Sequence, residues 1–212
     1  MNNGLPPLPT PGGYERAHAL SYDLAFGQLG RADLADIARK SGAVPVGPDV
    51  LRLRFLNSEY LVDRLSGQVA LHPDGEAAPV SERLLILHYL VTAGGAPPRG
   101  EWIAFKELPD GRLYDSTFYK RTVRLLLKKF GESPAKLTEA AARIGGTPAG
   151  MGDAAVTVQA FPKVAVTLVL WRGDDEFPAE GSILLDRGIS DYLPTEDIVV
   201  LCQTIALKLM AF

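Results

Sequence analysis

Apolar positions along the chain follow two periods, helical and alternating, and the switches between them mark the elements. In residues 14–29 Ala17, Leu20, Leu24 and Ala25 recur at helical spacing, and a second short helix is predicted over 31–40, ended by Ser41-Gly42. Leu51, Leu53 and Phe55 then alternate with Arg52 and Arg54, the pattern of a half-buried strand. After a turn at Asn57-Ser58, residues 59–71 predict one or two further short strands, and 72–78 a loop. Residues 79–93 form the most apolar predicted helix, capped by Ser81 and stopped by Gly94-Gly95. It is apolar around most of its circumference, so it is expected to lie buried against a sheet.

Residues 102–105 read as a strand, followed by a turn at Pro109-Asp110-Gly111. Residues 116–130 predict one amphipathic helix with Tyr119, Val123, Leu126, Leu127 and Phe130 facing inward. Another helix is expected over 133–144, with Pro134 in its first turn. Segments 155–161 and 164–171 make a hairpin of two central strands through Pro162-Lys163, and 182–186 adds a strand. Thr195 is the expected cap of a final helix whose Ile198, Leu201, Cys202, Ile205 and Leu209 face the core, while Glu196 and Asp197 complement its dipole. Helices and strands are grouped rather than strictly alternating. The expectation is a single α+β domain over 14–212: one antiparallel or mixed sheet of about five to six strands, packed by helices and closed by a long C-terminal helix. Residues 1–13, rich in Pro and Gly, are expected to form a flexible tail.

Composition narrows the classes. An apolar fraction of 47% with 22% charged residues supports a buried core. A net charge of −3 argues against nucleic acid as the main partner, because phosphate binding needs a dominant basic field. The single cysteine, Cys202, excludes a disulfide framework, a thiolate zinc site and an iron–sulfur cluster held by this chain alone. The first residues carry neither a basic region nor an apolar core of signal-peptide length, and no run is long enough to span a bilayer. A cytoplasmic location with no membrane partner is therefore expected.

Candidate chemistry gathers near the C-terminal strands. The loop after Trp171 holds Asp174, Asp175, Glu176 and Glu180, with Asp186 beyond the next strand. Hard cations take carboxylate oxygens, so Asp174, Glu176 and Asp186 form a candidate metal set if a hairpin brings them together. The spacing does not match a calcium loop, and carboxylates in turns also serve as solvated caps. Trp102, Phe105, Tyr114, Trp171 and Tyr192 sit beside charges or turns and could line a flat-ligand pocket, or simply fill the core. The candidate ligand-binding set joins these aromatics to Asp153, Asp174, Asp175, Glu176 and Asp191.

Lys120, Arg121, Arg124 and Lys128 cluster on the outer face of their predicted helix, either as a partner-docking stripe or as a solvated face. The glycine loop over 145–153 follows a helix and precedes a strand, the reverse of a phosphate cradle, and reads as a flexible connection or lid. His18, His72 and His88 show no paired spacing. His88 lies in an apolar helix and is read as a satisfied core histidine. No G-x-S-x-G motif or partnered cysteine nucleophile occurs, and Cys202 is expected to be an inert buried thiol.

W-R-G-D-D-E-F-P-A-E-G-S-I-L-L-D, together with I-S-D-Y-L-P-T-E-D-I, L-H-Y-L, E-W-I-A-F-K-E-L-P-D-G-R-L-Y and Gly152-Asp153, resembles the bacterial and archaeal family known as domain of unknown function 3786. The resemblance covers nearly the whole chain after the first residues. It implies an association with anaerobic metabolism and, in some relatives, an attached cysteine-rich iron–sulfur segment. This chain lacks those cysteines, so a cluster role would need a partner metalloprotein. The resemblance supplies no catalytic residue and no cofactor. The expected function is binding of a small molecule or cofactor as an accessory to a metalloenzyme system. The alternatives are a metal-dependent enzyme using the acidic loop and an interaction module using the basic helix.

Overall fold

A computed structural model describes the backbone of residues 11–212 and the side chains from residue 20 onward. Residues 1–10 of the expected tail, and the His18 side chain, lie outside the described residues. The elements in chain order are α1 (Pro11–Arg31), α2 (Leu34–Ser41), β1 (Val44–Pro45), β2 (Val50–Phe55), β3 (Ser58–Asp63), β4 (Val69–His72), α3 (Val80–Thr92), β5 (Trp102–Ala104), α4 (Gly111–Arg121), α5 (Val123–Phe130), α6 (Ala135–Ala142), β6 (Gly146–Ala149), β7 (Ala154–Phe161), β8 (Val164–Trp171), β9 (Glu180–Asp186) and α7 (Thr195–Met210).

The α+β class read from the sequence is the one observed, with the strands divided between two antiparallel sheets. One has the order β1-β2-β3-β4, and the other β5-β9-β8-β7-β6. Leu56 N–H donates to the Ala160 carbonyl, and Phe55 packs its ring 4.8 Å from that of Phe161, so the two sheets meet at the β2–β7 corner. β8 is the middle strand of the larger sheet, and its run from Val166 to Leu170 is buried throughout. α7 contributes Ile198, Leu201, Cys202, Ile205 and Leu209 to the same core, as its periodicity predicts.

Several local expectations are corrected. Leu20 and Leu24 are exposed, while Tyr22, Ala25, Phe26 and Leu29 turn α1 toward the core. The helix expected over 116–130 is two helices, because the chain breaks at buried Thr122, where φ is −130° and ψ −82°. The break shifts the helical phase, so Phe118 is buried against Phe105, ring centroids 4.0 Å apart, and Tyr119 is exposed. The supposed glycine loop contains β6, an edge strand paired with β7, and Pro148 is tolerated there because an edge position leaves one side of the backbone unpaired. Neither Ser81 nor Thr195 caps its helix: prolines Pro79 and Pro194 hold those positions, and the Thr195 hydroxyl donates instead to the Pro109 carbonyl at 2.8 Å. No helix among the described residues is long and apolar enough to cross a membrane.

Candidate functional site

α1, α3, α4 and α7 do not close completely on one another, and a cleft of about 410 Å³ remains between them. Helical periodicity supplies its walls. α3 presents Ser81, Leu84, Leu85 and His88, spaced to fall on one stripe, and α4 presents Tyr114, Thr117 and Arg121. α7 offers its first turn, Thr195 to Asp197, and then Val199 and Val200, while α1 adds Ser21. The walls thus combine aliphatic side chains with hydroxyl and charged groups.

The polar feature nearest the core is a pair. His88 Nδ1 lies 2.7 Å from Asp197 Oδ2, and Asp197 is buried. The hydrogen bond to Asp197 holds the imidazole pKa above its ordinary value, against the opposing effect of burial. The contact ties Nδ1 to the carboxylate and favours the charged form of the ring. The pair is thus a polar group fixed in place by two helices of the cleft wall.

The residues singled out in the sequence are dispersed. Tyr114 and Arg121 line the cleft. Phe105 and Tyr192 are buried; Tyr192 stacks beside Tyr89 and its hydroxyl donates to the Ala96 carbonyl. Trp102 pairs in register with Asp186, and Trp171 with Glu180, so the two tryptophans stand at opposite ends of β9 and form no common pocket. Asp153 accepts from Arg172 N–H at 2.7 Å, and Asp191 pairs with Arg99 at 3.2 Å.

The acidic loop is organised by its own backbone. Asp174 Oδ1 accepts from Glu176 N–H at 2.9 Å and Phe177 N–H at 2.7 Å, which lowers its pKa, and Asp175 and Glu176 are exposed. Asp186 lies at the far end of β9, about 20 Å along the strand from Glu180. Its two oxygens accept from the backbone N–H groups of Arg99, Gly100 and Gly188 at 3.0, 2.7 and 2.8 Å. Asp174 and Glu176 therefore do not converge on Asp186, and among the described residues no three His, Cys, Asp or Glu side chains form a group that could hold a metal ion. Lys120, Arg121, Arg124 and Lys128 are all exposed, divided between α4 and α5 by the Thr122 break.

Sequence reasoning missed the cleft because its walls come from four separated helices. The available signal was a histidine in an apolar helix with an acidic first turn elsewhere; the contact between them joins residues 109 apart in the chain.

The fold and its cleft define an α+β domain of two antiparallel sheets with an opening between helices of a size that suits a small ligand. The family model described as Domain of unknown function (DUF3786) matches residues 33–208, and the chain belongs to that family. Every wall residue of the cleft except Ser21 falls within that span. No curated protein and no solved structure matches the chain.

Proposed function

We propose that this chain is a small-molecule-binding domain whose site is the cleft between α1, α3, α4 and α7. The observation that carries the proposal is a cleft of about 410 Å³ that combines aliphatic walls with the part-buried His88–Asp197 pair. Ligand sites have this make-up: apolar area drives binding, and a few fixed polar groups set orientation. Binding is favoured over catalysis because the imidazole is tied to buried Asp197 and no nucleophile motif accompanies it.

An accessory role beside a metalloenzyme system in the cytoplasm belongs to the same proposal and is supported by the family resemblance alone. In that role a cluster would sit on the partner, since Cys202 is fully buried and burial pushes its thiol far up. A metal-dependent reaction at Asp174, Glu176 and Asp186 is not part of the proposal, because β9 holds these carboxylates apart.

The test is a ligand-observed NMR screen of small molecules against the wild type and against Val200→Trp, which fills the cleft. Molecules that bind the first and not the second support the proposal. Binders unaffected by the filling, or a screen without binders, defeat it.

A further inference from the structure

We infer that the cleft is polarised along its length and takes a dipolar molecule, with an anionic group at the Arg121 end, a cationic group at the Glu196 end and an apolar segment between. The inference rests on the cleft being the binding site and adds the class of ligand.

The chain directions establish the polarity. The Thr195 hydroxyl donates to the Pro109 carbonyl at 2.8 Å, so α4 and α7 begin side by side. Glu196 belongs to the first turn of α7, whereas Arg121 is the last residue of α4, about 15 Å further along that helix. α3 runs the opposite way: His88 meets Asp197 near the start of α7, and Glu82 meets Lys208 near its end. Arg121 and Glu196 both line the cleft, and this order of the helices sets them toward its opposite ends.

Neither charge is already used. Arg121 and Glu196 have no ion-pair partner among the described residues, while the other titratable groups on the walls, His88 and Asp197, are tied to each other. Leu84 and Leu85, between Ser81 and His88 on α3, and Val199 on α7 also line the cleft; they cannot satisfy a charge and favour an apolar segment. Thr122 supports the arrangement: its hydroxyl donates to the Phe118 carbonyl at 2.6 Å in the buried break that ends α4 at Arg121. A molecule charged at one end would leave one of these two groups without a partner.

Titration calorimetry with 8-aminooctanoate, octanoate and octylammonium tests the inference. The dipolar probe is expected to bind most tightly. Arg121→Gln should weaken 8-aminooctanoate and octanoate roughly fivefold, the scale of a partly exposed charge-assisted contact, and leave octylammonium unchanged. Glu196→Gln should show the mirror pattern. Both residues are exposed, so circular dichroism should report an intact fold. Equal affinities for the three probes, or variants without effect, overturn the polarity; if Val200→Trp then abolishes all three, the cleft still stands as the site. Absence of binding by 8-aminooctanoate also overturns it, and the cleft is then judged by the wider screen.

Discussion

His88 Nδ1 and Asp197 Oδ2, 2.7 Å apart, join the last turns of α3 to the first turn of α7 beside the cleft. The contact raises the folded imidazole pKa above its ordinary value of 6.5, so the pair stabilises the fold fully below that pH. The stabilisation is lost as pH rises through the folded value. Urea denaturation at pH 6 and pH 9 should show a fall in stability for the wild type that is smaller in His88→Gln. Equal pH dependence in the two proteins would refute the charged pair.

Asp186 gives the opposite limb. Burial raises its carboxyl pKa, but three backbone N–H groups and Arg99 more than offset this and leave it below the ordinary 3.8. Its stabilisation is present above that pH and is lost as pH falls through the depressed folded value. Asp186→Ala should cost about 1–3 kcal/mol at pH 7, because it leaves backbone donors of the β5 approach and the β9 turn without an acceptor. It should also flatten the acid limb of stability. A variant as stable as wild type across that range would show that water replaces the carboxylate.

Glu82 is buried at the start of α3, where Tyr60 Oη donates to one oxygen at 2.6 Å and Lys208 Nζ reaches the other at 2.8 Å. Tyr60→Phe removes a donor from a buried carboxylate and should lower stability by about 1–2 kcal/mol in chemical denaturation. A loss below a few tenths would mean that Lys208 satisfies the carboxylate alone.

Gly42 follows α2 in the left-handed region at φ 78°, and a Cβ there would come within 2.8 Å of the Pro162 Cβ. Gly42→Ala meets both the backbone strain and the clash, so a loss of about 1–2 kcal/mol or more is expected. A melting temperature equal to wild type would show that the β7–β8 turn yields without cost.

The sequence by itself determined the α+β class and most elements, because period, breakers and burial act locally. The alternation of Leu51, Leu53 and Phe55, the apolar runs around Pro162-Lys163 and the inward stripe of α7 each needed only neighbours in the chain. Where a tertiary contact competed with a local rule, the local rule lost. Buried Thr122 ended a helix that its pattern continued, exchanging Tyr119 for Phe118 in the core, and Thr195 gave its hydroxyl to Pro109 rather than to its own helix. Asp174, Glu176 and Asp186 are near one another in the chain, yet an extended strand carries its two ends far apart, as β9 does for Glu180 and Asp186. The division of the strands into two sheets, the pairing of His88 with Asp197 and the cleft beside them were decided only by the tertiary structure. They depend on how four helices of distant sequence pack side by side, and no local period encodes that arrangement.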